Sequence, residues 1–204
     1  LCNYIVYDVA VIGNHDIEMG KAIFDKYTKE CSFPILGANV IDTSTGQPYF
    51  PPYKMFYRQG LKIAVLGFIT PAIPHWIPKK TWEGMEFENI KDSAAKWVKT
   101  VQEEEEPDYI IGIMHSGMAD GIDTPDYKEN ATRETVESVD GFDLVLYGHD
   151  HANNLEEITS PSGRKVICVN PGCYAYNIAI ADITFHTDDE GNVTNHETQC
   201  LIHY

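Results

Sequence analysis

The sequence predicts a layered α/β domain. Apolar runs alternate with segments of helical periodicity through the middle of the chain, which is typical of strands joined by helices. Towards the C-terminus the apolar runs follow one another without helices between them, which favours consecutive strands. With 204 residues, 43% of them hydrophobic, the chain is long enough to bury one sizeable core. We therefore expect residues 1–204 to belong to one domain.

Each element is predicted from the spacing of its apolar residues and from the turn residues that bound it. Helices are expected at residues 19–31, 89–106 and 130–139. Strands are expected at residues 9–12, 33–40, 53–58, 61–69, 109–114, 142–147, 165–169, 177–185 and 193–202. Residues 70–84 carry prolines and tryptophans without periodicity and predict a loop, which either borders a substrate or packs on itself.

Composition excludes several classes of protein. The formal net charge of −16 argues against binding to a nucleic-acid polymer, which needs a basic face. It is compatible with a small phosphorylated substrate, because a bound cation reverses the local potential. No apolar run is long enough for a membrane span. The five cysteines form no CxxC pair and are typical of small buried residues.

Polar clusters follow three of the predicted strands. They are Gly13-Asn14-His15-Asp16 after residues 9–12, His115-Ser116-Gly117 after 109–114, and Gly148-His149-Asp150-His151 after 142–147. Because sites form at the carboxyl ends of strands in open α/β sheets, the three clusters are expected to converge. Imidazole nitrogens and an amide oxygen suit a divalent metal. Each cluster alone has an ordinary explanation as a turn or a hydrogen-bonded histidine, and it is their coincidence that favours a site.

These clusters, with ILGANV at 35–40 and KIAVLGFITP at 62–71, resemble the calcineurin-like metallophosphoesterases. The resemblance is closest to the branch of 5′-nucleotidases and 2′,3′-cyclic-nucleotide 2′-phosphodiesterases, and it extends over essentially the whole chain. It implies a four-layer α/β/β/α sandwich. It also implies hydrolysis of nucleotide phosphate esters at a dinuclear centre, by in-line attack of a metal-bound hydroxide.

The resemblance assigns roles to six residues. It implies Asn14, His115 and His149 as ligands of one metal, His151 as a ligand of the other, His15 as the catalytic histidine that protonates the leaving oxygen, and Glu18 as the acid that pairs with it. Relatives more often have Asp at the position of Glu18. The two ions would be divalent, with Mn, Zn, Fe and Co all compatible with nitrogen-rich ligation.

Asn170 and Tyr174 follow a predicted strand and come after the Gly148-His149-Asp150-His151 segment. They are candidates for substrate binding, and a plain turn explains them equally well.

The resemblance also implies two further ligand motifs, an Asp-x-His and a Gly-Asp, and neither occurs in the 204 residues. We therefore expect a catalytic-domain fragment that lacks its first strands and is weakly active or inactive alone. Its parent is expected to carry a C-terminal substrate-binding domain and, from the resemblance, to be exported to the periplasm or cell surface.

Other interpretations stay open at this point. The missing aspartates favour a non-catalytic metal-binding or interaction module, whereas an intact His15–Glu18 pair disfavours it. A metal-free α/β domain would require three coincident clusters. Within the enzyme hypothesis, cyclic diesterase and 5′-nucleotidase activities are not separated, although His151 leans towards the diesterase because nucleotidases can carry Gln there.

Overall fold

A six-stranded mixed sheet lies at the centre of the structure, a computed structural model that describes residues 2–204. The strands are β1 (Ala10–Val11), β2 (Ile35–Leu36), β3 (Val40–Asp42), β4 (Gln47–Pro48), β5 (Tyr53–Arg58), β6 (Leu61–Ile69), β7 (Met85–Phe87), β8 (Tyr109–His115), β9 (Leu144–Tyr147), β10 (Asn153–Thr159), β11 (Lys165–Pro171), β12 (Ile178–Thr187) and β13 (Val193–His203). The helices are α1 (Cys2–Ile5), α2 (Asn14–Glu18), α3 (Lys21–Glu30), α4 (Ile73–Trp76), α5 (Ile90–Glu104) and α6 (Thr132–Ser138), with a 3-10 turn at Lys79–Thr81.

The strand order of the central sheet is β10-β11-β9-β8-β6-β5. The four inner strands, β11, β9, β8 and β6, run parallel to one another. The two edge strands, β10 and β5, pair antiparallel with β11 and β6. The carboxyl ends of the four parallel strands therefore lie at one edge of the sheet, where α/β proteins form their sites. The short parallel pair β1–β2 lies beside β6.

The two faces of the sheet are covered by different layers, as strand β8 shows. Ile110 and Met114 belong to a core cluster with Val98 of helix α5. Because side chains alternate along a strand, Tyr109 points to the opposite face, where its ring contacts Phe185 of the β12–β13 hairpin at 5.6 Å between centroids. Helices on one face and a hairpin on the other confirm the predicted α/β sandwich class.

The observed elements differ from the prediction where glycine or polar strand residues intervene. The helix expected at 19–31 is α3, which begins at Lys21. Gly20, with a φ of 87°, separates it from the short helix α2, which was not predicted. The strand expected at 33–40 is the separate strands β2 and β3. Strand β10 was not predicted, because most of its alternating residues are exposed and polar. No helix among residues 2–204 combines the length and apolarity needed to cross a bilayer.

Gly67, in the buried half of β6, is a position where the fold admits no side chain. A Cβ there would overlap Leu36 Cβ and lie 3.2 Å from the Leu36 carbonyl carbon, so relief requires β2 to move. We expect Gly67→Ala to lower the free energy of unfolding by about 1–3 kcal/mol, measured by urea denaturation. Gly148→Ala is the control, because a Cβ there has no described atom within 4 Å. Equal stability of the two variants would contradict the prediction.

Candidate functional site

The three predicted clusters meet at the carboxyl edge of the sheet. Strands β8 and β9 are parallel neighbours, and Gly148 N donates to Met114 O at 3.0 Å, which holds their two ends together. A cavity of about 470 Å³ opens there. Six of the predicted site residues line it: Asn14, His15, His115, His149, His151 and Tyr174. The geometry thus brings together residues that are 160 positions apart in sequence, counted from Asn14 to Tyr174.

Helix α2 presents the first cluster. It starts directly after Gly13, whose backbone N donates to Asp16 Oδ2 at 2.8 Å, as in a capping box. His15 and Glu18 are three residues apart and therefore share one face of the helix. His15 Nδ1 donates to Glu18 Oε2 at 2.8 Å, and His15 is 83% exposed. The pair consequently stands in solvent at the cavity mouth, with His15 Nε2 left available.

Asn14, His115 and His149 form the buried part of the site. His115 Nε2 donates to Asn14 Oδ1 at 2.6 Å, and the His115 and His149 rings lie 5.2 Å apart between centroids. Burial, together with the smaller effect of the neighbouring His149, lowers the pKa of His115 to about 4. His115 is therefore neutral near pH 7, which is the form that coordinates metals.

Glu129 is a site residue that the sequence did not reveal. Its Oε1 accepts from His149 Nε2 at 3.1 Å and its Oε2 accepts from Ile122 N at 2.8 Å. Its backbone carbonyl accepts hydrogen bonds from Thr70 and Ser116. Glu129 lies in a segment without periodicity, and no motif marks an acid whose partner is 20 residues away. It orients the His149 ring.

Asp150 fastens the loop between His149 and His151. Its Oδ2 accepts from Met118 N at 2.9 Å, and its Oδ1 accepts from Asn170 Nδ2 at 2.7 Å. The carboxylate thereby joins the loops that follow β8 and β9 to strand β11. These two hydrogen bonds hold the backbone between the two histidines against neighbouring elements.

The remaining predicted residues differ in how they relate to the cavity. His151 lines it beside Tyr174, with 5.9 Å between ring centroids, and Tyr174 is 77% exposed. Asn170 is fully buried, and its Oδ1 accepts from Gly172 N at 2.9 Å. Since its amide nitrogen is bonded to Asp150, Asn170 shapes the loop that carries Tyr174, and its contact with a substrate stays a prediction.

The donors suit a divalent metal in chemistry, though they form only part of a coordination shell. An amide oxygen and two imidazoles, one held neutral by burial, adjoin one another at the cavity floor. Within residues 2–204, however, no three His, Cys, Asp or Glu side chains converge as ligands of one ion. The assignment of Asn14, His115 and His149 as ligands of one ion stays a prediction.

Comparison with known proteins gives consistent results. The model of the calcineurin-like phosphoesterases matches residues 1–153. The chain is 34% identical over 113 residues to a 5′-nucleotidase of Vibrio cholerae, covering 55% of this chain and 20% of that one. It is 28% identical over 201 residues to a 2′,3′-cyclic-nucleotide 2′-phosphodiesterase/3′-nucleotidase of Haemophilus influenzae, covering 89% and 30%.

Solved structures share the fold. The calcineurin-like phosphoesterase YfkN of Bacillus subtilis superposes with a TM-score of 0.80 at 25% identity, covering 97% of this chain and 64% of that one. The chain spans about a fifth to a third of the length of the two curated relatives named above.

Proposed function

Because this chain belongs to the calcineurin-like phosphoesterase family, we propose that it forms part of the catalytic domain of a hydrolase acting on nucleotide phosphate esters. The observation that carries the proposal is the His15–Glu18 pair at the mouth of a cavity whose floor holds Asn14, His115 and His149. A proton-transfer pair beside imidazole and amide groups that can hold a metal supports phosphate-ester hydrolysis. Nucleotide substrates are supported by the names of relatives from two activity classes.

Calcineurin-like phosphoesterases use divalent metal ions. We propose Asn14, His115 and His149 as ligands of one ion and His151 as a ligand of a second. When bound, such ions activate water and neutralise the charge of the phosphoryl oxygens. Glu129 keeps His149 in the orientation that leaves its Nδ1 free for coordination, because Nε2 is engaged with the carboxylate.

His15 donates the proton that the leaving oxygen gains during hydrolysis. Hydrolysis forms a bond from water oxygen to phosphorus and breaks the bond from phosphorus to the leaving oxygen, which must gain a proton. Glu18 holds His15 Nδ1, so Nε2 is the atom that delivers this proton. The same hydrogen bond to the carboxylate fixes the orientation of the imidazole ring.

The choice between a cyclic diester and a 5′-monoester is a finer proposal. We favour the cyclic diesterase, because His151 stands where nucleotidases can carry Gln. A periplasmic or cell-surface location is proposed from the same resemblance.

A metal-binding module without catalysis is the second candidate. The incomplete set of converging ligands among residues 2–204 favours it. Such a module would bind a divalent ion and hydrolyse no substrate. The His15–Glu18 pair argues against it, because a module without catalysis has no use for a proton donor.

Hydrolysis by the full-length protein tests both candidates. We expect Mn²⁺-dependent conversion of 2′,3′-cyclic AMP to a nucleoside monophosphate, or of 5′-AMP to adenosine and inorganic phosphate, abolished by EDTA and restored by added Mn²⁺. The ratio of the two rates decides between diesterase and nucleotidase. If calorimetry detects metal binding and neither substrate is hydrolysed, the hydrolase proposal is wrong and the non-catalytic metal-binding module is supported.

A further inference from the structure

Two cysteines meet where helix α1 lies against the end of helix α3. Cys2 begins α1, and Cys31 directly follows α3. Asn3, the residue after Cys2, donates from Nδ2 to the Glu30 carbonyl at 2.7 Å, and its Oδ1 accepts from Ser32 N at 2.8 Å. These two partners are the sequence neighbours of Cys31 on either side. The asparagine therefore holds the start of α1 beside Cys31.

The two cysteines share one apolar corner of the protein. Cys2, Cys31 and Tyr27 are all partly buried, and all three pack against the core cluster that contains Phe24. Burial, with smaller effects of Asp16 and of both cysteines, raises the pKa of Tyr27 to about 12. Because Tyr27 responds to both cysteines, it lies near both of them. The two thiols are thus on the same side of the contact between α1 and α3.

Helix α1 is free to adjust to the geometry of a covalent bridge. Both thiols are free in the structure, and bridged cysteines have Cα atoms about 4–7 Å apart. No residue of α1 is buried, and the side chains of Tyr4 and Val6 are 87% and 74% exposed. A small shift of α1 towards Cys31 therefore disturbs no packed side chain of this helix.

The surroundings of the pair favour a structural bridge over the other uses of two cysteines. Within residues 2–204, no third His, Cys, Asp or Glu joins the two thiols in a set that could hold a metal. Burial raises the pKa of the Cys31 thiol, and the neighbouring Cys2 raises it as well. Dithiols that exchange disulfides catalytically depend on a stabilised thiolate, which Cys31 lacks.

We propose that Cys2 and Cys31 form a structural disulfide when the folded protein meets a disulfide oxidant such as oxidised glutathione. Two S–H bonds break and one S–S bond forms, while the oxidant takes up the two electrons and two protons and becomes two thiols. The bridge closes a loop over residues 2–31, which contains β1, α2 and α3. It therefore restrains the segment that presents His15 to the cavity, and it goes beyond the proposed function without depending on it.

Peptide mapping tests the bridge directly. The full-length protein is incubated with oxidised glutathione, its remaining thiols are alkylated, and it is digested with trypsin without reductant. We expect the peptide 30–54, whose one cysteine is Cys31, to be linked to the peptide that carries Cys2 and ends at Lys21. The same treatment in concentrated urea should give mixed links, because the fold no longer brings these two thiols together. Alkylation of both thiols in the native sample, or a link from either to another cysteine, overturns the proposal.

Thermal unfolding then tests whether the bridge is structural. We expect dithiothreitol to lower the Tm of the oxidised full-length protein by about 5–10 °C, because reduction opens the loop of residues 2–31. Cys31→Ser should already have the lower Tm and should not respond to dithiothreitol. Cys200→Ser, on strand β13, is the matched control and should keep the response of the wild type. An equal response in the wild type and in Cys31→Ser, or none in the wild type, contradicts a structural bridge. Neither measurement involves turnover, so both outcomes are independent of the hydrolase proposal.

Discussion

Replacing His15 with alanine is expected to lower kcat for phosphate-ester hydrolysis by about 10²- to 10⁴-fold. The reason is that the leaving oxygen then departs without a positioned proton donor. The side chain is 83% exposed and its one hydrogen bond in the structure is to Glu18, so the fold should tolerate the change. The measurement is the steady-state rate with 2′,3′-cyclic AMP and 5′-AMP, at saturating Mn²⁺.

Two controls make the result specific. Glu18→Gln keeps the shape of the pair but replaces the carboxylate that accepts the hydrogen bond from His15 Nδ1, and it should lower kcat by about tenfold, less than His15→Ala. His186→Ala, on the distant β12–β13 hairpin, should leave the rate unchanged. Unaltered turnover in His15→Ala, together with unaltered thermal stability, would remove His15 from the mechanism.

Asp150→Ala is expected to lower the free energy of unfolding by about 3 kcal/mol, since buried polar groups left without partners cost about 1–3 kcal/mol each. The Met118 backbone N–H and the Asn170 amide both lose their acceptor, and Asn170 is fully buried. Urea denaturation measures the change. Asp189→Ala, at an exposed turn, is the control and should alter stability by less than about 0.5 kcal/mol.

Asp150→Ala also distinguishes a structural role of Asp150 in holding the loop from a direct role in catalysis. The hydrogen bonds of Asp150 among the described residues go to Met118, Ala152 and Asn170 and not to the His15–Glu18 pair, so any loss of turnover should accompany loss of the loop geometry. A variant as stable as the wild type would show that the loop is held by other contacts.

The sequence predicted the parallel strands well because their apolar runs are buried from both sides, as in β6, where six consecutive residues are buried. It also predicted which loops converge, because parallel strands place their carboxyl ends together. It failed at β10, whose exposed polar residues resemble those of a loop, and at α2, a helix of five residues that is too short to show helical periodicity. These failures arise because tertiary contacts, not local spacing, set those boundaries.

The sequence predicted the residues that line the site, but not the residues that hold them in place. Glu129 reaches His149 across a fold that sequence spacing does not encode. Asp16 and Asn170, in contrast, carry clear polar signals, yet the structure uses Asp16 to cap α2 and Asn170 to bond Asp150. A polar residue near a site is therefore as readily a support as a reactant.

The backbone of the loop after β9 has a consequence for how this protein responds to selection. His149 and His151 have φ values of 88° and 58°, in the left-handed region where a residue with a side chain is strained. Glycine would relieve that strain at both positions and remove both imidazoles. Selection for thermal stability alone would thus favour glycine at both positions, whereas selection for turnover would retain the two histidines.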